Sequence, residues 1–455
     1  MTFKQTRVLI INSKMLKKLI FIFTLLPTFL MAQYTIKGTF SPADEYNYAL
    51  LYKVTPESMV YVNNAEIKAG KFTFKLDSTV TKGMYRLVYA LPQEEYNFDI
   101  IYNAKENIEL AFDQEIGVNF IKSVENNLIG SYTRDMEAIG QSIGDYFKST
   151  SKDTLSLVKI FKKQAEIQSR YEKTAKGTIA SVFIKANKPY IPKKYETVKE
   201  YVRNFKDYYF SYIDFNNELL QSSNFLSERI TSYVFGMTDE NKDDLETYRA
   251  NIDDVFEEMQ EAKLSTKKSL LTILWQQMAD LSLETTANYI SDKYLIPIAE
   301  KTQDKALVEA LKKFKNTSLG TVAPDFSFEK TFGDVTTKTK LSALNTANQY
   351  VVVFWSSSCS HCMQEIPQLQ KFIKVQQKGK LQVIAIGLED SSTNWKKLIG
   401  TYPEFIHVLG LGKWTNKLSV LYNVNATPTY FVLDKDKKII AKPNDIIELR
   451  EHFSN

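Results

Sequence analysis

The tetrapeptide Cys359-Ser360-His361-Cys362 contains both cysteines of a 455-residue chain. Two thiols at this spacing can cycle between a dithiol and an intramolecular disulfide, one attacking a foreign disulfide and the other resolving the mixed intermediate. Metal binding is the competing use. A closed zinc site takes about four ligands, however, and one Cys-x-x-Cys with the scattered His361, His407 and His452 supplies few.

The flanking pattern indicates what must position the sulfurs. "YVVVFW" (Tyr350 to Trp355) is apolar without alternation, as in a strand covered on both faces. Met363, Ile366, Leu369 and Ile373 then follow the spacing of one helical face. Cys359 therefore falls at a helix N-terminus, where unpaired amides and the helix dipole favour an anion. It is expected to be the low-pKa, partly exposed nucleophile, with Cys362 one turn inside, more buried, as the resolving thiol. Further strands are expected at "LQVIAIGL" (Leu381 to Leu388), "TYFVLD" (Thr429 to Asp434) and "KIIA" (Lys438 to Ala441), with a last helix near Asp445 to Phe453. An imidazole between the cysteines, His361, would stabilise the Cys359 thiolate and shift the couple toward oxidant, unless the intervening Ser360 and His361 have drifted without consequence.

These motifs resemble a thioredoxin-fold domain of the TlpA/ResA-like group. "FWSSSCSHC", Pro367 five residues past the second cysteine, "VAPDF" and "YNVNATPTYFVLD" carry the resemblance over roughly Leu319 to Asn455. It implies that Pro428 is a cis-proline facing the cysteines, that Thr427 presents its backbone to an extended substrate, and that Trp355 packs beneath the active helix. Glu365 matches an acid that tunes the cysteines in this group, and its plain alternative is a solvent-facing helix carboxylate. DsbA-type oxidases carry a His at the place of His361. Two departures stand out: Val353 lies where cytosolic thioredoxins carry a buried Asp, and Ser358 where many relatives have Trp.

The rest of the chain frames this domain. Tyr34 to about Asp113 shows short alternating runs such as "YTIKGTF", "KFTFKL" and "MYRLVYAL", which predict a small antiparallel β-sandwich. Helical spacing follows, in Leu157, Ile160, Phe161, Gln164, Ile167 and Tyr171, and again in Leu271, Leu274, Met278 and Leu281. The aromatics of "YVRNFKDYYFSYIDF" (Tyr201 to Phe215) read as core or as a binding groove, and the acidic "DENKDDLE" (Asp239 to Glu246) as a solvated loop or helix start. The expected organisation is a signal peptide over 1–32, a β-sandwich-like domain over 33–116, a helical domain over 117–317 and an α/β thioredoxin-like domain over 318–455. That order resembles multidomain exported thioredoxin-like proteins of Bacteroidetes-type bacteria.

The leader is read from Lys14, Lys17 and Lys18 ahead of "LIFIFTLLPTFLMA" (Leu19 to Ala32). The run is too short for a span of ~20 residues and is broken by Pro27. Cleavage after Ala32, with no cysteine at the cut, gives an exported periplasmic or envelope protein that is not a lipoprotein. An uncleaved anchor is the alternative. Removing the leader also removes Lys4 and Arg7 and leaves as many basic as acidic residues, so nothing electrostatic argues for nucleic acid.

Three function classes follow. The first is a thiol-disulfide oxidoreductase that reduces cysteine-containing exported proteins, with an oxidase or isomerase direction as its close variant, and needs no cofactor beyond a Cys359–Cys362 disulfide; the resemblance implies a membrane thiol reductase as its electron donor. The second is a peroxiredoxin-like peroxidase, although Val352 and Ser356 stand where that chemistry wants Pro and Thr. The third is a metal-carrying or non-catalytic scaffold.

Overall fold

A computed structural model describes residues 34–56, 58–149, 153–238, 242–332, 335–375 and 380–454. The expected signal peptide lies outside them. Among the described residues no helix is long and apolar enough to cross a membrane. The chain forms two compact units, one ending at Phe225 and the other beginning at Leu226.

The first unit holds β1 (Tyr34–Ser41), β2 (Tyr48–Val54), β3 (Met59–Glu66), β4 (Lys71–Leu76), β5 (Gly83–Val88), β6 (Asn97–Tyr102), β7 (Ile108–Asp113) and β8 (Gly117–Lys122), with period-two burial clearest in β1, β4 and β7. They make two four-stranded sheets, β4-β1-β7-β8 and β3-β2-β5-β6. Ile36, Phe72 and Phe74 of one sheet meet Leu51, Tyr85, Leu87 and Ile100 of the other in a shared core. The N-terminal part is therefore a β-rich sandwich, with one departure from the antiparallel expectation: β1 and β7 pair in parallel. The chain passes through the opposite sheet between them, and alternation reveals which face is buried but not which way a neighbour runs.

The strands also continue past the expected boundary at 116. Asp113 accepts the amides of Glu115 (2.9 Å) and Ile116 (3.2 Å), closing a turn that brings β8 back against β7. Beyond β8, the Asn126 side chain exchanges hydrogen bonds with the Ile101 backbone (2.9 and 2.8 Å) and fastens the helix Val124–Lys148 to β6. The helix Thr154–Thr174 buries Leu157, Phe161, Gln164 and Ile167. In the aromatic run, Phe210 and Phe215 are core and Tyr201 stacks on Phe161 at 5.7 Å. Tyr208 and Tyr212 are exposed and, with Tyr190, line a cavity of about 1050 Å³.

Helices from Leu226 onward belong to the second unit, so the helical stretch expected as one domain over 117–317 is divided. Periodicity marks a helix's buried face without naming what that face packs against. Asp243 caps the helix Asp244–Glu258 by accepting the Glu246 amide at 2.8 Å, so the acidic run is in part a helix start. Leu271, Leu274 and Met278 are buried, but Leu281, expected on the same face, is 59% exposed because the helix ends at Asp280. Glu284 ties these helices to the following domain: it accepts the Leu319 amide at 2.6 Å and pairs with Lys442.

That domain is α/β. β9 (Ser327–Phe332) and β10 (Val335–Lys340) form a two-stranded sheet. β11 (Gln349–Trp355), β12 (Leu381–Glu389), β13 (Ile406–Leu411), β14 (Thr429–Asp434) and β15 (Ile439–Ala441) form a five-stranded sheet in the order β13-β12-β11-β14-β15. β12 runs parallel to β11 and β13, while β14 is antiparallel to β11. Both faces are covered: Val351, Val353 and Trp355 join Ile366 and Leu369 of the helix Ser360–Lys374 in one core, and Val352 and Phe354 join the other. Ile366 and Leu369 are fully buried, each stabilising the helix's seat by about 1.5–3 kcal/mol. Gly387 of β12 lets the indole of Trp395 lie against the strand, since a Cβ there would stand 2.2 Å from Trp395 Nε1. Gly387→Ala is expected to destabilise this domain by about 1–3 kcal/mol through overpacking. Urea unfolding followed by tryptophan fluorescence checks it, and an unshifted transition would mean that the indole swings clear.

Candidate active site

β11 ends at Trp355, and Ser356 to Ser358 turn the chain into the active helix. Cys359 is the N-cap of that helix, with its Sγ accepting the Cys362 amide at 3.2 Å. One of the helix's unpaired donors is thus satisfied by the reactive sulfur itself. Cys359 is partly exposed, and Cys362 is fully buried among Val353, Trp355 and Ile366.

The residues around the pair separate the two sulfurs chemically. Burial works against ionising Cys359, but donors converge on its sulfur: the Cys362 thiol and amide, the Thr427 side chain and the His361 amide. The balance lies below the ordinary thiol value. For Cys362 burial dominates, reinforced by the hydrogen bond to Cys359, and its pKa is pushed up to about 12. As a thiol, Cys359 also donates to the Thr427 carbonyl at 3.2 Å. The Thr427–Pro428 peptide is cis, and β14, antiparallel to β11, brings it beside Cys359.

The other expected site residues fall as follows. Trp355 is fully buried in the core beneath the active helix and meets Tyr402 edge-on at 6.3 Å. Ser360 and His361 are exposed on the first turn, and the contribution of His361 to Cys359 comes from its backbone amide. Glu365 is half-buried: its Oε2 accepts from the Tyr430 hydroxyl (2.9 Å) and from the Ile446 amide (3.0 Å) at the start of the helix Ile446–Ser454. Val352 points into the core on the other face of the sheet, and Ser356 Oγ lies 3.0 Å from Ser358 Oγ. Among the described residues no group of three or more His, Cys, Asp or Glu is arranged to hold a metal ion.

Two further residues matter here that motif reading passes over. Glu389, at the end of β12 and 4% exposed, accepts both the Ser357 amide (2.5 Å) and the Ser357 hydroxyl (2.9 Å), bracing the turn that leads into Cys359. Tyr430, beneath Cys362 in the same core, holds Glu365. The one available sign was an acid closing an apolar strand at Glu389; a tyrosine inside "TPTYFVLD" looks like any core aromatic.

Residues 348–439 match a family model described as thioredoxin-like. The thiol-disulfide oxidoreductase ResA of Bacillus cereus is 29% identical over 90 residues, covering 20% of this chain and 50% of that protein. The thioredoxin-like protein YneN of Bacillus subtilis is 28% identical over 132 residues, covering 27% of this chain and 70% of that protein. The chain thus spans half the length of the first of these relatives. Among solved structures, the thioredoxin domain of a thiol-disulfide oxidoreductase from Bacteroides vulgatus is 24% identical with a TM-score of 0.25, covering 30% of this chain and 98% of that one. A thioredoxin-like protein from Bacteroides caccae is 18% identical with a TM-score of 0.30, covering 58% of this chain and 96% of that one.

Two outcomes follow from the geometry. Alkylation of the reduced protein near neutral pH should label Cys359 and spare Cys362, because the first ionises below an ordinary thiol and the second stays protonated until about 12; equal labelling in a mapped digest would refute the split. Glu365→Ala, which strands two donors, should destabilise the domain by about 1–3 kcal/mol in urea, and Glu365→Gln, which keeps an acceptor, by less. If both match the parent, Glu365 is a surface acid.

Proposed function

We propose that this chain, whose residues 348–439 match the thioredoxin-like family, is an exported thiol-disulfide oxidoreductase that reduces disulfides of envelope proteins. The observation that carries the reading is the asymmetry of the pair: an exposed, acidified N-cap sulfur beside the Thr427 carbonyl, and a buried, protonated partner within its reach.

In the mechanism, the Cys359 thiolate attacks one sulfur of a substrate disulfide, forming a mixed disulfide and expelling the other substrate sulfur as a thiolate, which takes a proton from solvent. Cys362 then attacks the Cys359 sulfur. Its proton passes to the second departing substrate thiolate, leaving a Cys359–Cys362 disulfide and two substrate thiols. The substrate gains two electrons and two protons, and a membrane-bound dithiol reductase restores the dithiol. Thr427, next to the cis-Pro428, offers its carbonyl to an extended substrate backbone. Ser360 and His361 face the incoming substrate, the His361 imidazole setting how strongly the couple oxidises, and Glu365 acts on the pair through Tyr430. No cofactor beyond the Cys359–Cys362 couple takes part. The leader over 1–32 supports export to the periplasm or envelope, with cysteine-containing exported proteins as substrates.

The roles of the sulfurs set the test. Cys362→Ser should accumulate mixed disulfides in the cell envelope, visible on non-reducing gels, whereas Cys359→Ser should trap far less. Equal trapping by both, or trapping by Cys359→Ser alone, would reverse the roles, and none by either would favour the scaffold reading.

A further inference from the structure

The first unit holds a cavity of its own, remote in sequence from the cysteines. Its volume is about 1050 Å³, and it lies between the helix Thr154–Thr174 and the irregular segment from Lys188 to Glu196, with Tyr208 and Tyr212 completing the wall. Pro189 and Pro192 restrict the backbone of that segment, and a capping box between Thr197 and Glu200 fixes the start of the helix Val198–Asp207 immediately after it. The wall is therefore built on constrained chain, which suits a preformed ligand site.

Two acids line the cavity, and they differ in what they have left to offer. Glu172 is engaged, accepting from Gln168 Nε2 at 3.0 Å and pairing with Lys188 at 3.5 Å. Glu196 is only 7% exposed. Its Oε1 accepts the Tyr190 hydroxyl at 2.6 Å and the Asn204 side-chain amide at 3.0 Å, while its Oε2 has no hydrogen-bond partner among the described residues. A buried carboxylate oxygen without a donor is costly, so a ligand that supplies one is favoured.

The aromatic rings and the cations narrow the chemistry of that ligand. Tyr190 stacks on Tyr208 at 5.2 Å, and Tyr208 is half exposed, leaving part of a flat ring open. Lys188 Nζ lies 4.8 Å above the Tyr212 ring, where a cationic ligand would otherwise sit. The exposed Lys162, Lys193 and Lys194 add further positive charge at the rim, which disfavours an amine and favours an anion. The buried Glu196 thus asks for neutral donors inside, and the exposed lysines for negative groups outside. Hydroxyls, apolar ring faces and carboxylates on one molecule describe an acidic sugar. Lys162, Ala165 and Ser169 also line a more open groove of about 520 Å³ that continues along the same helix to Lys173, so the space suits a chain of such sugars. Among the described lining residues none belongs to a strand whose edge an extended peptide would join.

We propose that this cavity is a binding site for an acidic oligosaccharide, with Glu196 accepting sugar hydroxyls, Tyr208 carrying a ring face, and Lys162 and Lys193 meeting the carboxylates. This is a second function of the chain and does not rest on the oxidoreductase reading.

Titration calorimetry of the full chain tests it with three probes: a tetramer of galacturonic acid, a neutral tetramer of glucose, and an end-capped tetraglutamate peptide that matches the first in side-chain carboxylates. The acidic saccharide should bind about fivefold more tightly than the neutral one, as a pair of exposed cations allows, and more tightly than the peptide. Tyr208→Ala, at an exposed position, should weaken both saccharides by about tenfold. Glu196→Gln, which keeps an acceptor for Tyr190 and Asn204, should weaken both as well. Replacing Lys162 and Lys193 together by Ala should bring the acidic saccharide down to the affinity of the neutral one and leave the neutral one unchanged. A parent that does not bind the acidic saccharide overturns the proposal, as does binding that Tyr208→Ala leaves unchanged. Tighter binding of the peptide than of either saccharide overturns it by assigning the cavity to a polypeptide.

Discussion

The hydrogen bond from the Cys362 amide to Cys359 Sγ, at 3.2 Å, is the constraint on which the site depends. It makes the nucleophile its own helix cap, so any displacement of the helix start would remove a donor from the thiolate. The surroundings hold that start in place: β11 delivers the chain, Ile366 and Leu369 seat the helix on the sheet, and Glu389 fixes Ser357. Burial alone would raise the pKa of both thiols, and for Cys362 it does. At Cys359 the convergent donors outweigh it. The same short turn thus yields one reactive and one latent sulfur from two chemically identical side chains.

What was legible in the sequence was local. The apolar run before Cys359 and the spacing of Ile366 and Leu369 state strand then helix, and a cysteine at that junction has few other places to sit. The period-two runs of the N-terminal part likewise declare their buried faces, as with Phe72, Phe74 and Leu76. Contacts between residues remote in sequence carried no such mark. Glu389 reaches Ser357 across a strand pairing, β1 finds β7 in parallel after the chain has crossed to the other sheet and back, and the helices divide between two units according to which partner buries them. Leu281 shows the same limit at short range: it fits the helical period, but the helix stops one residue before it.

Two acids brace the elements around the pair. A free carboxylate close to Cys359 would oppose its ionisation. Both candidates are instead engaged by donors. Glu389 spends its two oxygens on Ser357, and Glu365 accepts from the Tyr430 hydroxyl and the Ile446 amide. Each of these bonds occupies a carboxylate oxygen and, in the same contact, positions the element that donates.

The substitution at Val353 takes this arrangement a step further. Cytosolic thioredoxins carry a buried Asp at that place, whereas here Val353 is fully buried and paired in register with Tyr430. The strand position beneath the cysteines is therefore apolar, and the active helix carries an acid, Glu365, reached from the strand through the Tyr430 phenol. Burial and the neighbouring Glu365 both hold that phenol protonated, so it remains a donor to the carboxylate throughout the physiological range. An acid on the helix is also bonded to the first turn of the C-terminal helix at Ile446, just after the segment that holds Lys442, the partner of Glu284. Glu365 thereby joins the active helix to the last helix, so a change in the packing of either helix reaches its carboxylate.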